Sequence, residues 1–241
     1  MTRILALHGF LGLPSDWDPI QKIIKKHSPE TLFQSINLFS EKSLLQAASP
    51  KDLAKKLNQQ QKNQHVERNI LVGYSLGGRL ALQAAFDKPG LWDEIALVST
   101  HPGLLTPEEK ELRKKADQKW AIEFSSKPWD EVIKLWNEQE VFAGSIEPNR
   151  PEKEFERKAL SRALLQWSLA HQDFVGESLA TLKSKIHWYA GEKDKKFIEL
   201  FSHLKADGFV EDFQSIEKSS HRVIFDNPEA LAEKLIKDLK I

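Results

Sequence analysis

Short apolar runs alternate with amphipathic helical patterns over the first hundred residues of this chain. The short runs are typical of strands, and the segments between them place apolar residues at helical spacing. Alternation of this kind favours a parallel sheet with right-handed crossovers. The predicted strands cover residues 3–8, 31–37, 69–73 and 94–98, and the predicted helices cover residues 15–26, 50–62 and 76–87.

From about residue 101 to residue 183 the pattern changes to helices without a convincing strand. Thr106-Pro107-Glu108-Glu109 matches a capping box, which predicts a helix to about residue 124. Pro128 and Pro151 open a second and a third predicted helix. The α/β pattern then resumes with strands 186–190 and 212–216, helix 195–206 and a final helix capped by Asn227.

These patterns predict an α/β protein with a mostly parallel sheet of about six strands flanked by helices. The length of 241 residues is typical of one domain. We therefore expect a single domain over residues 1–241, with a helical lid over residues 101–183 inserted between the fourth and fifth strands.

Composition and charge narrow the classes of function. Lys and Arg number 35, as do Asp and Glu, so no overall positive field selects nucleic acid or acidic membrane. The absence of cysteine excludes disulfides, thiolate metal sites and a cysteine nucleophile. The N-terminal run lacks the features of a signal peptide, and no apolar stretch approaches the length of a membrane span. We expect a soluble cytoplasmic protein that acts on a small molecule, with its oligomeric state open.

The strongest chemical signal is the sequence Gly73-Tyr74-Ser75-Leu76-Gly77. It matches G-x-S-x-G, the nucleophile elbow, and lies between a predicted strand and a predicted helix. A serine on such a turn exposes its hydroxyl at the positive end of the helix. The alternative interpretation is a chance match in an ordinary strand-to-helix turn.

A serine nucleophile needs a base, and the base needs an acid that orients it. With this elbow the chain order is serine, acid, histidine, and the last two lie on loops after later strands. Asp194 follows the predicted fifth strand and His221 follows the sixth, as this order requires. Alternatively, Asp194 only caps the next helix, Glu192 is the acid, or His221 is an ordinary surface residue.

An oxyanion hole needs backbone N–H donors aimed at the developing charge. We expect one donor at Leu76 and the other at Phe10, in the glycine-rich loop after the first strand. A turn that only connects two elements is the alternative interpretation of that loop. No histidine pair has metal-ligand spacing, so we expect no metal. The histidines interpreted as surface or packing residues are His27, His65, His171, His187 and His203.

Together these residues resemble the α/β-hydrolase superfamily, through His8-Gly9-Phe10, the elbow, Asp194 and His221. More narrowly, the chain is similar to the 2-succinyl-6-hydroxy-2,4-cyclohexadiene-1-carboxylate synthases of menaquinone biosynthesis. The stretches that carry the narrower resemblance are S-L-G-G-R at 75–79, H-P-G-L at 101–104, Trp120, Trp136 with V-F-A at 141–143, and 191–197.

The narrower resemblance implies a lyase that eliminates pyruvate from a succinylated cyclohexene dicarboxylate without a cofactor. In this chain, Ser75 activated by His221 and Asp194 would remove a proton from the ring, and Phe10 and Leu76 would hold the developing negative charge. The alternative enzyme is a carboxylesterase or thioesterase with an acyl-serine intermediate. The alternative from another class is a non-catalytic binding protein.

A substrate with several carboxylates favours arginine ligands, since a guanidinium can bind a carboxylate through two hydrogen bonds. Arg79 lies one helical turn after Ser75 and is expected to border the same cleft. The resemblance marks Arg113, in the first lid helix, as basic. The other expected pocket residues are Tyr74 and Trp136.

Three features depart from the family pattern. The first antiparallel hairpin of the superfamily sheet is missing, and the stretch at 37–43 lacks the pattern D-x-P-G-H-G-x-S. The third lid helix also matches poorly, so Arg157 and Arg162 on it are interpreted as solvent-facing residues. The last two departures bear on the identity of the substrate more than on the chemistry.

Overall fold

The computed structural model describes residues 1–40, 42–61 and 66–241. Within these residues six strands form one sheet, in which every neighbouring pair is parallel. The strands are β1 (Thr2–Leu7), β2 (Leu32–Ile36), β3 (Arg68–Tyr74), β4 (Glu94–Val98), β5 (Lys185–Gly191) and β6 (Gln214–Ile216), in the spatial order β2-β1-β3-β4-β5-β6. The predicted parallel sheet of about six strands is confirmed.

Helices flank this sheet, again as predicted. Those before the fourth strand are α1 (Asp18–His27), α2 (Lys42–Leu45), α3 (Pro50–Gln60) and α4 (Leu76–Asp87). Those between β4 and β5 are α5 (Pro107–Ser126), α6 (Trp129–Asn137), α7 (Arg157–Gln166) and α8 (Gly176–Leu179). The last three are α9 (Lys195–Ala206), α10 (Val223–Asp226) and α11 (Pro228–Leu239).

The central strands are mainly apolar because both faces of the sheet are buried. In β1, Ile4 and Ala6 pack with residues of α1 and α11 on one face. Leu5 and Leu7 pack with residues of α3 and α4 on the other face. Each of these four side chains is fully buried. The two layers of helices leave the carboxyl ends of the strands free to carry functional loops.

Local capping chemistry sets where several helices begin. The Thr106 hydroxyl accepts a hydrogen bond of 3.1 Å from the Glu109 N–H, and the Glu109 carboxylate accepts one of 3.0 Å from the Thr106 N–H. This is the predicted capping box of α5. The Asn227 side chain likewise caps α11 by accepting from the Ala230 N–H at 3.1 Å. Each such cap stabilises its helix by about 1 kcal/mol.

The insertion between β4 and β5 departs from the sequence prediction in its third helix. Pro151 is followed by a short 3-10 turn, and the α-helix begins only at Arg157. Between them, Phe155 has an extended backbone, with φ −131° and ψ 139°. Its ring stacks on Trp129 at a centroid distance of 5.6 Å, and this packing outweighs the local helix signal of the proline. A single domain with a lid over residues 101–183 stays a prediction.

The two ends of the insertion meet in a short backbone ladder. The Leu104 N–H donates to the Gln172 carbonyl at 3.0 Å, and the Phe174 N–H donates to the Leu104 carbonyl at 3.0 Å. The Val175 N–H also donates to the Pro102 carbonyl at 3.1 Å. We call residues 102–104 and 172–175 the lid neck.

No helix in the described part of the chain is long and apolar enough to cross a membrane. The interpretation of His65 lies outside the described residues, as does residue 62 at the predicted end of the helix over 50–62.

Candidate active site

Ser75 lies at a strained turn between β3 and α4. Its backbone has φ 52° and ψ −109°, a combination that costs energy in any residue with a side chain. The Ser75 N–H donates to the Val98 carbonyl at 2.8 Å, which holds the turn against the end of β4. Gly77 is needed because a Cβ there would overlap the carbonyl oxygens of Leu7 and His8. The local geometry is that of a nucleophile elbow.

His221 joins Ser75 to Asp194. Its Nε2 lies 3.2 Å from the Ser75 hydroxyl oxygen, and its Nδ1 lies 2.9 Å from Oδ2 of Asp194. The side chains of His221 and Asp194 are only 5% and 4% exposed. Because the carboxylate accepts a hydrogen bond from the Nδ1–H group, the lone pair on Nε2 faces the serine. The arrangement can therefore take a proton from Ser75.

The alternative roles of the acidic residues can be compared directly. Asp194 also caps α9, since its Oδ1 accepts from the Phe197 N–H at 3.3 Å. One carboxylate thus orients His221 and starts a helix. Glu192 is exposed, and its carboxylate accepts a hydrogen bond of 3.0 Å from the Lys218 N–H. It supports the loop after β6 rather than His221.

Phe10 and Leu76 are the two predicted oxyanion donors. Both line the cavity beside Ser75, and neither N–H has an acceptor among the described residues. Buried His8 fixes the loop that carries Phe10. Its Nδ1 donates to the Gly9 carbonyl at 2.8 Å, and its Nε2 accepts from the Leu38 N–H at 3.0 Å. Burial lowers the pKa of His8 to about 4, so the ring stays neutral.

A cavity of about 910 Å³ lies between the carboxyl ends of the strands and the inserted helices. Among its described lining residues, seven are Lys or Arg and four are Asp or Glu. The cavity wall is therefore positive, although the formal net charge of the chain is zero. The positive residues are Arg79, Arg113, Arg150, Lys193, Lys195, Lys196 and Arg222.

Arg79 and Arg113 both line the cavity. The buried Arg79 guanidinium donates to the Trp167 carbonyl at 3.2 Å and to the side-chain oxygen of Gln172, both neutral acceptors. Burial, with a smaller contribution from Arg113, lowers the pKa of Arg79 to about 9, so it is still mainly charged at neutral pH. Arg113 Nε lies 2.9 Å from each carboxylate oxygen of Asp117. Arg79 is the less neutralised of the two by its hydrogen-bond partners.

Tyr74 and Trp136 both line the cavity. The Tyr74 ring lies 5.8 Å from the His221 ring, and burial raises the pKa of its hydroxyl. The Trp136 ring lies 4.8 Å from that of Phe10 and 4.9 Å from that of Trp120. The inserted helices α5 and α6 therefore supply an aromatic surface next to Phe10.

Arg157 and Arg162 lie outside the cavity lining. Arg162 is exposed, as interpreted. The interpretation of Arg157 as solvent-facing is wrong, since its side chain is only 25% exposed. It pairs with Glu152 and donates to the Lys127 carbonyl at 2.6 Å. Free carbonyls at the end of α5 provide these acceptors, which the local sequence does not reveal.

Sequence reasoning missed two arginines of the cavity. Arg150 donates to Asp16 at 2.8 Å and lies over the ring of Phe225. It lies in the segment 144–151, whose Gly, Pro and Asn residues are typical of an exposed loop. Arg222 lies 4.0 Å from the centroid of the Phe142 ring and is 4% exposed. Its position directly after His221 was the available signal for a residue near the site.

His101 is a third missed residue. It lines the cavity, and its Nδ1 accepts from the Gly103 N–H at 3.2 Å. Burial lowers its pKa to about 4, helped by the positive charges of Lys196 and Arg79. The neutral ring therefore carries its proton on Nε2 and can donate one hydrogen bond. Its place in the H-P-G-L stretch was the available signal.

Four of the five histidines interpreted as surface or packing residues lie outside the described lining of the cavity, and the fifth, His65, is outside the described residues. His27, His171 and His203 are exposed, and His187 pairs with Glu94 at 2.7 Å. No group of three or more His, Asp or Glu residues in the described part of the chain is arranged to hold a metal ion.

A family model described as the alpha/beta hydrolase family matches residues 4–234. The chain belongs to the α/β-hydrolase family. This α/β hydrolase is 27% identical to the 2-succinyl-6-hydroxy-2,4-cyclohexadiene-1-carboxylate synthase of Escherichia coli O1:K1, over 98% of this chain and 93% of that protein.

Solved structures support the same fold. MenH from S. aureus superimposes with a TM-score of 0.86 at 18% identity, covering 99% of this chain and 93% of that one. A thermophilic esterase from Thermogutta terrifontis superimposes with a TM-score of 0.71 at 18% identity, covering 100% and 90%. The six parallel strands and flanking helices are thus an α/β-hydrolase fold.

Proposed function

We propose that this α/β hydrolase is a lyase that eliminates pyruvate from a succinylated cyclohexene dicarboxylate. The product would be 2-succinyl-6-hydroxy-2,4-cyclohexadiene-1-carboxylate. The observation that carries the proposal is the positive cavity around Ser75 in a chain of zero net charge. Such a wall favours a substrate with several carboxylates. The protein would act in the cytoplasm on this small molecule, without a cofactor.

The first step would be proton transfer from carbon. Ser75 passes its proton to His221 and takes a proton from the substrate ring, and Asp194 stabilises the imidazolium that forms. The distances of 3.2 Å and 2.9 Å along this chain of side chains support the transfer. The electron pair of the broken C–H bond moves toward the neighbouring carbonyl of the substrate.

The second step would expel pyruvate. The electron pair forms the new ring double bond, and the bond between the ring carbon and the leaving oxygen breaks. Pyruvate departs as its enolate and takes up the proton held by His221, while the proton taken from the ring stays on Ser75. Atoms and charge therefore balance without water or an oxidant.

The cavity offers groups that could bind the substrate carboxylates and stabilise the negative charge that develops during the reaction. The N–H groups of Phe10 and Leu76 would stabilise the enolate-like oxygen, and one such donor is worth about 10²–10³ in rate. Arg79 and Arg113 would bind carboxylates, and Tyr74 and Trp136 would line the pocket. The named relative in Escherichia coli O1:K1 supports this substrate class, at 27% identity.

A carboxylesterase or thioesterase is the second candidate. Ser75, His221 and the two N–H donors would serve acyl transfer equally well, with Ser75 forming an acyl intermediate. The similarity of the fold to that of the Thermogutta terrifontis esterase favours this candidate. A positive cavity wall, by contrast, would not contribute to the binding of a neutral ester.

One comparison of activities separates these candidates. The purified protein is given the succinylated substrate, and pyruvate is measured; short p-nitrophenyl esters are tested in parallel. We expect pyruvate release that Ser75→Ala and His221→Ala abolish, while Ser202→Ala on the exposed side of α9 retains it. Rapid ester cleavage without pyruvate would overturn the lyase proposal. If both activities survive Ser75→Ala and His221→Ala, the proposed catalytic residues are wrong. If the wild-type protein shows neither pyruvate release nor ester cleavage, the alternative of a non-catalytic binding protein is favoured.

A further inference from the structure

The residue that follows β4 has a strained backbone. Ser99 has φ 47°, which lies in the left-handed region that favours glycine. A side chain is disfavoured in this region because its Cβ crowds the next carbonyl oxygen. Ser99 is also only 1% exposed, so its hydroxyl is removed from water. Because glycine would suit this backbone better, the hydroxyl is the feature that distinguishes the serine.

The Ser99 hydroxyl is bonded to the backbone of the candidate base. Its Oγ donates to the His221 carbonyl at 3.0 Å. No other donor to that carbonyl lies among the described residues. His221 as a whole is 4% exposed, so its backbone is largely removed from water. One hydrogen bond therefore satisfies two buried polar groups, one on each loop.

The end of β4 is bonded to both members of the candidate pair. The Val98 carbonyl accepts from the Ser75 N–H at 2.8 Å, and the next residue, Ser99, reaches His221 through its hydroxyl. The Ser99 N–H also donates to the Tyr189 carbonyl at 2.8 Å, which ties the same turn to β5. Two consecutive residues therefore hold the backbones of the candidate nucleophile and the candidate base.

The loop that carries His221 has other supports, but they come from a different direction. The Ser219 carbonyl accepts from the Lys193 N–H at 2.8 Å, and the Ser220 N–H donates to Asp226 at 2.8 Å. The first partner lies in the loop after β5 and the second lies in α10. Among the described residues, the hydrogen bond that joins this loop to the end of β4 is therefore the one from the serine hydroxyl.

The contact between Ser75 and His221 leaves little room for displacement of either loop. The Ser75 Oγ lies 3.2 Å from Nε2 of His221, at the long end of the usual range for a hydrogen bond. The elbow is bonded to the end of β4, so a loop that shifted away from β4 would lengthen this distance. Support of the His221 backbone at that point therefore bears directly on the transfer of the serine proton.

We propose that Ser99 is a positioning residue, whose hydroxyl holds the His221 backbone against the end of β4 and thereby keeps the imidazole within reach of Ser75. It acts through the His221 carbonyl and not through the substrate. The strained backbone is retained because it places a buried donor at this point, which glycine could not supply. The inference rests on the proposed pairing of Ser75 with His221, and it does not depend on which substrate that pair converts.

The test measures the reactivity of Ser75 with a probe that bypasses the natural substrate. Diisopropyl fluorophosphate labels an activated serine: the serine oxygen bonds to phosphorus, fluoride leaves, and the proton passes to the base. Mass spectrometry follows the labelling rate in wild type, Ser99→Ala and Ser99→Gly. Alanine removes the hydroxyl and keeps the strain, whereas glycine removes both. Urea unfolding, and kcat and KM for pyruvate release, are measured on the same proteins.

The matched control is Ser184→Ala. Ser184 is also buried, and its hydroxyl donates to a backbone carbonyl, that of Trp92 at 2.6 Å. This hydrogen bond joins the segments before β4 and β5, at the opposite edge of the sheet from Ser75. The control therefore reproduces the loss of a buried hydroxyl donor without a change near the candidate site.

We expect Ser99→Ala and Ser99→Gly to label about ten- to hundredfold more slowly than wild type, the range that misplacement of a reacting group by up to about 1 Å can cost. The two should be slowed alike, although Ser99→Gly should resist urea better, because the rate follows the hydroxyl and the stability follows the strain. In pyruvate release, kcat should fall while KM stays near the wild-type value. Ser184→Ala should label at the wild-type rate.

A wild-type labelling rate in Ser99→Gly, or equal slowing in Ser184→Ala, would overturn the inference. A raised KM with unchanged labelling would also overturn it, since Ser99 lines the cavity and would then act on the substrate itself. Should Ser99→Gly fail to fold, Ser99→Cys keeps a side chain with a weaker donor and must still label more slowly than wild type.

The same measurements separate this inference from the proposed function. If wild type resists the probe, the proposed pairing of Ser75 with His221 is wrong and the inference falls with it. Labelling of Ser75 without pyruvate release would overturn the lyase proposal alone, and the slowing in Ser99→Gly would still stand as support for the positioning role.

Discussion

Arg150 of the inserted segment donates a hydrogen bond of 2.8 Å to Asp16, which lies in the segment after β1. The two side chains are 9% and 5% exposed, so the ion pair is almost fully removed from water. It joins the lid to the stretch of chain that carries Phe10. Burial raises the pKa of Asp16 despite the nearby guanidinium, so the intact pair adds little net stability.

Breaking this pair should nevertheless be costly. Asp16→Ala leaves the Arg150 charge buried without its partner, and we expect the free energy of unfolding to fall by about 3–5 kcal/mol. Urea unfolding measures the change. The control is Asp212→Ala, which breaks an exposed pair with Lys205 and should cost about 0–1 kcal/mol. Equal losses in the two variants would show that burial of the Arg150–Asp16 pair has no special weight.

Backbone strain at Ser75 gives a second prediction. Ser75→Gly and Ser75→Ala both remove the hydroxyl. Only glycine, which has no Cβ, accepts φ 52° and ψ −109° without a steric clash. We expect Ser75→Gly to be more stable than Ser75→Ala by about 1 kcal/mol, with no activity in either. Thermal and urea unfolding of the two proteins test this. Should the alanine variant be the more stable, the turn stores no such strain.

Acid should weaken the fold through buried histidines. The pKa of His8 is lowered from 6.5 to about 4, because burial disfavours the charged ring. A proton on Nε2 would also break the hydrogen bond from the Leu38 N–H. Between these two pH values the His8 ring binds a proton in the unfolded chain and stays neutral in the folded chain. Stability is therefore complete above pH 6.5 and is lost as the pH falls toward 4, by about 3 kcal/mol for this residue. His101 acts in the same direction.

The histidine effect can be isolated by substitution. The loss of unfolding free energy between about pH 7.5 and pH 5 should be smaller by roughly 2 kcal/mol in His8→Gln than in wild type. His203→Gln, at an exposed site on α9, should retain the wild-type loss. An unchanged pH dependence in His8→Gln would place the acid sensitivity elsewhere.

Arg79 provides a prediction about substrate affinity. Its guanidinium is buried in the cavity wall with neutral hydrogen-bond partners, so it is available to compensate a substrate carboxylate. Arg79→Ala should weaken the binding of the carboxylate substrate by about 1.5–3 kcal/mol, which is what a hydrogen bond to a charged group contributes. Steady-state KM and kcat for pyruvate release measure it, with Arg162→Ala on the exposed face of α7 as control. Unaltered constants in Arg79→Ala would remove Arg79 from the site.

The chain order of the three candidate catalytic residues was predictable because the sheet is parallel. Carboxyl ends of parallel strands meet at one edge, so loops after β3, β5 and β6 must lie near one another. Ser75, Asp194 and His221 follow those three strands, and the side chains do converge. Strand ends were predicted to within two residues, because fully buried strands are marked by continuous apolar runs.

The cavity wall was less predictable because its contacts join distant parts of the chain. Arg150 meets Asp16 across 134 positions, and Arg222 meets Asn137 across 85. Neither contact leaves a periodic pattern or a motif in the local sequence. The prediction of where α7 begins was wrong for the same reason. The packing of Phe155 on Trp129 sets the start of this helix, and the nearby proline does not.

The lid neck makes residues 105–171 an exchangeable cassette. The backbone ladder between 102–104 and 172–175 brings both ends of this segment to one place, so a change in its length need not move β4 away from β5. Arg113, Trp136 and Arg150 lie within the cassette, whereas Ser75, Asp194 and His221 lie outside it. Replacement of this one continuous stretch would therefore change the cavity wall while Ser75, Asp194 and His221 kept their positions, provided that the new stretch supplied an acceptor for Arg222 as Asn137 does.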